Sequence, residues 1–174
     1  MPTYVALLRG INLGANRRVA MADLRSWLAE LGYEDVRTLL QSGNAVFRTP
    51  KRPATVQREL EARLAEHAGF TIDCVVRTAD ELRTVVEADP LGSIADDGSR
   101  YMVMFLGAEP KPPDFAPDAF APELFHVGGR EVYFWVPDGV RNSKVLAAFP
   151  AGKGDVATVR NWNTVTKLLA MTES

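Results

Sequence analysis

Tyr4-Val5-Ala6-Leu7-Leu8-Arg9-Gly10-Ile11-Asn12-Leu13-Gly14-Ala15-Asn16-Arg17-Arg18 is the stretch on which the fold turns. Tyr4 to Leu8 is apolar on both faces, as a central strand of a covered sheet must be. It runs straight into a loop, Arg9 to Arg18, with two glycines, two asparagines and three arginines in ten residues. Glycines let a backbone turn its amides toward a guest, and arginine and asparagine supply fork-shaped donors. The composition therefore suits an anionic or amide-rich ligand.

Working outward, Met21, Leu24, Leu28 and Leu31 recur at helical spacing, and Gly32 closes that helix. Strands over Val36 to Gln41 and Ala45 to Arg48 follow, joined by Ser42-Gly43-Asn44, the residue types of a tight hairpin turn. After Pro50 and Pro53, Val56, Leu60 and Leu64 repeat every four residues and predict a second helix, before a strand from Ile72 to Arg77. Thr78-Ala79-Asp80-Glu81 reads as a capping box opening a connecting helix with Leu82, Val85 and Val86 inward, which Asp89-Pro90 stops. Ser93 to Arg100 is a polar linker.

The same order then recurs without the same residues. A strand from Tyr101 to Leu106 leads into a proline-laden stretch with one helical turn near Asp118 to Ala121. Strands Glu123 to Val127 and Glu131 to Val136 flank a Gly128-Gly129 turn. A short helix from Ser143 to Phe149, a strand from Thr158 to Trp162 and a terminal helix carrying Val165, Leu168 and Leu169 complete the chain. A split βαβ plait of this order sets its strands 4-1-3-2 in one antiparallel sheet with both helices on one face.

The expected fold class is therefore α+β, two tandem ferredoxin-like (alpha-beta plait, βαββαβ) subdomains. They cover 1–77 and 100–174, with a connecting helix and linker at 78–99. A domain of roughly 60 residues buries only about 60% of its unfolded surface, so two such halves are expected to pack together.

Bulk composition narrows the function classes. With 174 residues, 47% of them hydrophobic, the chain can build a real core, and 20 basic against 22 acidic side chains give a formal charge of -2. That balance disfavours nucleic acid as a partner, and any basic site must be local. The single cysteine, Cys74, lies in an apolar stretch, reads as a buried inert thiol and implies a reducing compartment. No apolar run approaches the roughly 20 residues of a membrane helix, and no cleavage signal is present. A cytoplasmic protein with no membrane partner is expected.

Plait topology gathers the donor-rich turns. The end of the first strand and the hairpin between the second and third share a sheet edge, which sets Arg9 and Asn12 beside Gln41, Ser42 and Asn44. Binding is the better reading for Arg9 and Asn12; turn chemistry is the better one for Ser42, Gly43 and Asn44. In the second half, Arg141, Ser143 and Lys144 at a helix start meet Arg160 and Asn161 at the end of the last strand. Free amides at that helix N-terminus would suit phosphate or carboxylate, although plain N-capping by Asn142 and Asn163 competes with that reading.

Other chemistries find no support in the residues. Gly10-Ile11-Asn12-Leu13-Gly14 is neither a dinucleotide fingerprint nor a P-loop, and Gly152-Lys153-Gly154-Asp155 lacks the upstream glycine and the hydroxyl residue after lysine. His67 and His126 stand apart without a metal-ligand pattern, so no metal site is expected. No Ser/His/Asp elbow accompanies Cys74, and Glu59, Glu61 and Glu66 lie on the solvated face of a helix. Tyr101, Phe105, Tyr133, Phe134 and Trp135 read as core rather than as a base-stacking platform. The residues name no catalytic group and no cofactor.

Tyr4 to Asn12, Met21-Ala22-Asp23-Leu24 and Gln41-Ser42-Gly43-Asn44 together resemble the bacterial domain of unknown function 1697 family. The Pro137-Asp138-Gly139 and Ser143-Lys144 segment and the tail Thr158 to Leu168 resemble it as well. The resemblance implies an α/β fold of two plait-like halves and no assigned activity. Ala15 stands where the family's loop usually has a second glycine, and Arg17-Arg18 where a lysine is common.

The leading functional expectation is a small anionic or phosphate-bearing ligand held by the named loops. The alternative is a protein-protein interaction module, with a homodimer open, using the sheet face of Phe134 or of Tyr133 and Trp135.

Overall fold

The computed structural model describes residues 1–150 and 156–174, so Gly152-Lys153-Gly154-Asp155 lies outside the described residues. The chain divides into two compact units, Met1–Arg83 with Leu168–Ser174, and Thr84–Lys167. The architecture is α+β: two four-stranded antiparallel sheets, with five α-helices among the described residues.

The first unit runs β1 (Thr3–Leu8), α1 (Met21–Glu30), β2 (Glu34–Leu39), β3 (Asn44–Arg48), α2 (Pro53–Ala68) and β4 (Cys74–Thr78), then enters α3 (Ala79–Ala88). Its sheet order is β2-β3-β1-β4. The doubly apolar run is central because both of its faces are buried: Tyr4, Ala6 and Leu8 join the core with Leu24, Leu28 and Leu60, while Val5 and Leu7 are 1% exposed. Leu24 and Leu28 lie on one stripe of α1, and Val56, Leu60 and Leu64 on one stripe of α2, as four-residue spacing requires. Gly32 ends α1 at φ +85, donating its N–H to the Ala29 carbonyl at 2.9 Å.

The second unit holds β5 (Tyr101–Leu106), β6 (Leu124–Val127), β7 (Glu131–Trp135), α4 (Lys144–Ala148), β8 (Ala157–Asn161) and most of α5 (Trp162–Thr172). Its sheet order is β6-β7-β5-β8. Between β5 and β6 there is no α-helix. Prolines 110, 112, 113, 117 and 122 remove the amides a helix would need, and the expected helical turn at Asp118 to Ala121 forms isolated turns. Phe115 and Phe120 from this segment still pack on the core around Phe125, Phe134 and Phe149. The last strand ends at Asn161, so Trp162, expected to be its final residue, instead opens the terminal helix.

Candidate functional site

Strand register places one edge of the first sheet. Leu7 lies opposite Asn44 and Leu8 opposite Cys74, so the end of β1 and the starts of β3 and β4 coincide. The loop after β1 and the β2–β3 hairpin therefore meet, and Asn12 joins them. Its Nδ2 donates to the carbonyls of Gln41 and Val19, both at 2.8 Å, and its Oδ1 accepts from the Val19 amide at 2.9 Å. Asn12 sits at φ 56, a left-handed conformation asparagine tolerates better than most residues. The expected neighbour is present, yet the Asn12 side chain is spent on holding the loop.

Asn44 is likewise internal. Fully buried, it donates to the Leu39 carbonyl at 2.7 Å and to Ser42 Oγ at 3.0 Å, closing the hairpin. Gly43 stands at φ +89 with its carbonyl accepting from the Leu8 amide at 2.8 Å. Gln41 and Ser42 are exposed, Gln41 offering its backbone carbonyl to Asn12.

Arg17, which sequence reasoning counted in the loop but not among the site residues, is its second brace. Its Nε donates to the Gly10 carbonyl at 2.9 Å, its NH2 donates to the Thr71 carbonyl at 3.0 Å, and its guanidinium lies 4.6 Å from the centre of the Phe70 ring. No local pattern announces the contacts with Thr71 and Phe70, which lie more than fifty residues along the chain. With Asn12 and Arg17 as struts, the loop is preorganised. The guanidiniums of Arg9 and Arg18 remain exposed and have no hydrogen-bond or ion-pair partner among the described residues.

The second edge differs. Tyr101 pairs with Trp135 and Met102 with Asn161, so the ends of β7 and β8 share the edge expected of them. The amides at the start of α4 are not open, however. Glu123, 7% exposed, turns Oε1 to the Lys144 N–H at 2.9 Å and the Val145 N–H at 3.2 Å. An internal carboxylate thus stands where the sequence suggested an external anion. Ser143 caps the helix, its Oγ accepting from the Leu146 N–H at 3.1 Å.

Asn161, rather than Asn163, caps α5 by accepting from the Thr164 N–H at 2.9 Å. Asn142 donates to the Asp138 carbonyl at 3.3 Å rather than capping α4. Arg160 is 8% exposed and donates to Thr158 Oγ1 at 2.6 Å and to the Val159 carbonyl at 3.0 Å; burial pulls its guanidinium down to about 10. Arg141 and Lys144 project into solvent.

Phe134, Tyr133 and Trp135 are buried, so neither strand face suggested for a partner is open. The sulfur of Cys74 is buried too, and burial pushes its thiol up to about 12. Among the described residues no helix is long and apolar enough to cross a membrane.

Comparison with known proteins gives a family and a fold. The family model described as protein of unknown function (DUF1697) matches residues 1–133. No curated protein matches the chain. A solved structure, that of conserved bacterial protein SP0830 from Streptococcus pneumoniae, is similar over 98% of each chain at 24% identity with a TM-score of 0.74. At that identity the likeness speaks for the fold alone.

Proposed function

The chain belongs to the DUF1697 family of proteins of unknown function, and from that footing we propose that it binds a small anionic, phosphate-bearing ligand at the edge where the Arg9–Arg18 loop meets the β2–β3 hairpin. One observation carries the reading. The loop is braced by Asn12 and Arg17 while the guanidiniums of Arg9 and Arg18 have no partner among the described residues, which separates the groups that hold the shape from the groups available to a guest. Arginine forks bind phosphate oxygens in pairs, and a preorganised loop loses little freedom on binding.

Arg9 and Arg18 are the principal donors, with the exposed side chains of Gln41 and Ser42 at the rim. Asn12 and Asn44 act by setting the loop. The second edge is the weaker candidate, since Glu123 already satisfies the amides there and Arg160 is turned to Thr158. In the same reading each sheet with its helices is a ferredoxin-like plait, at 1–77 and 100–174 around a connecting segment at 78–99, in a cytoplasmic protein. The 4-1-3-2 strand order supports the plait assignment, and the missing helix between β5 and β6 makes the second half an incomplete example.

Titration of the labelled protein with inorganic phosphate and pyrophosphate, read by amide chemical shifts, tests the site. Shifts should gather on residues 9–18 and 41–44, and Arg9→Ala or Arg18→Ala should each weaken binding about tenfold, the worth of one charged hydrogen bond. Silence at these amides, or shifts that survive both substitutions, overturns the proposal.

A further inference from the structure

Beside Arg9 and Arg18, whose guanidiniums have no partner among the described residues, the same edge exposes two leucines. Leu13 is 86% exposed and Leu40 56% exposed, and they adjoin in sequence the two partners of the hydrogen bond that ties loop to hairpin, Asn12 and Gln41. Leu40 is also held at φ 61, a left-handed conformation that costs a leucine about 1–2 kcal/mol. Each leucine belongs to a segment whose backbone is pinned, so neither is a floppy tail free to fold back onto the core. From Arg9 to Arg18 there are three arginines and no acid. Asp73 adjoins this edge through its backbone, its carbonyl accepting from the Arg9 amide at 2.9 Å.

Resting on the anion-binding reading above, we infer that this edge docks the protein peripherally on an anionic lipid surface. Arg9 and Arg18 meet headgroup phosphates while Leu13 and Leu40 enter the boundary between headgroup and acyl chain. The arginines alone account for a small anion, and the protruding leucines add an apolar contact that such an anion leaves unused. That contact suits a surface that is apolar just below a charged layer, and cationic residues beside apolar ones at a protruding edge are the pattern of interfacial attachment. That no helix among the described residues can span a membrane bears on crossing a bilayer and not on resting against one. Nucleic acid would use the arginines but has no role for two leucines, and no aromatic residue occurs in the loop or the turn to stack on bases.

The test is co-sedimentation of the full chain with vesicles of phosphatidylcholine alone and of phosphatidylcholine with phosphatidylglycerol. The expected result is binding to the anionic vesicles only, lost as salt is raised toward 0.5 M, in the range where the screening length falls to a few ångströms. Arg18→Ala should weaken partitioning about fivefold and Leu13→Ser about tenfold. Neither side chain holds a described contact, so both variants should fold, and Lys111→Ala, exposed in the other unit, should bind as the parent does.

No binding to anionic vesicles, or binding that Leu13→Ser leaves unchanged, overturns the inference. If inorganic phosphate still shifts the amides of 9–18 while vesicles do not bind, the small-anion reading stands and this one falls. If neither binds, both fall.

Discussion

Gly43 decides whether the candidate edge exists. A β-carbon there would come 2.7 Å from Ile11 Cδ1 and 2.9 Å from Leu8 Cβ, and φ is +89. Ile11 Cδ1 is a side-chain end that can give way, whereas Leu8 Cβ is fixed to a central strand. Gly43→Ala should therefore cost about 2–4 kcal/mol, combining left-handed strain with overpacking. Urea denaturation measures it, and a cost under about 1 kcal/mol would mean the hairpin relaxes away from β1. Turn chemistry at Ser42-Gly43-Asn44 was legible in the sequence because it is local: positive φ and a side chain reaching its own turn are properties of three or four residues. The fate of Asn12 was only half legible. Topology brought it to the hairpin, but nothing in the linear order could tell a donor aimed at a ligand from one aimed at the carbonyls of Val19 and Gln41. Arg17 was hidden for the same reason, its partners being Gly10 nearby and Thr71 far away.

At the scale of elements, two helix starts show where reading stops. The capping box at Thr78 and Glu81 forms reciprocally, the Thr78 N–H donating to Glu81 Oε1 at 2.9 Å and the Glu81 N–H to Thr78 Oγ1 at 3.1 Å. Its three-residue spacing makes it visible in any sequence. The start of α4 has a local cap in Ser143 and a remote one in Glu123, 21 residues upstream, which no spacing rule connects to it. The amides expected to be free at that start are occupied by a carboxylate of the chain itself. Glu123→Ala should cost about 2 kcal/mol, since it orphans two amides and removes a carboxylate from the positive end of the helix. Glu123→Gln, which keeps an acceptor and loses the charge, should cost about half as much. Hydrogen exchange at the Lys144 and Val145 amides should rise in the alanine variant, and equal exchange in parent and variant would show that Glu123 contributes no protection.

Across the whole molecule, strand order was the most legible feature, because hydrophobic period, turn residues and the rule for split plaits all constrain it together, and each sheet adopts it. The crossover from β5 to β6 was not, since prolines say where a helix cannot form and not what replaces it. The same burial that makes β1 and its neighbours a core also holds several weak acids neutral. Burial raises the Cys74 thiol from its ordinary 9.0 to about 12, with Glu61 and Asp73 adding to the effect. Tyr33, Tyr101 and Tyr133 are raised above 10.0, each chiefly by burial; Glu59 adds to the effect at Tyr33, and Asp89 at Tyr101. A group that ionises less readily folded than unfolded contributes stability that is full below its unfolded pKa and is lost as pH rises toward the folded one. Cys74 should therefore leave stability unaffected up to about pH 9 and then remove about 1.4 kcal/mol per pH unit, with the tyrosines steepening the fall above pH 10. Urea midpoints between pH 7 and 10.5 give the curve, and Cys74→Ala should flatten its segment from pH 9 to 10 while the later descent persists. At pH 8 the thiol should react with a disulfide reagent about a thousandfold more slowly in the folded protein than in urea, the ratio of thiolate fractions for pKa values of about 12 and 9. Identical alkaline curves for parent and Cys74→Ala, or rapid reaction of the folded thiol, would show that the strand carrying Cys74 opens to water far below the free energy of global unfolding.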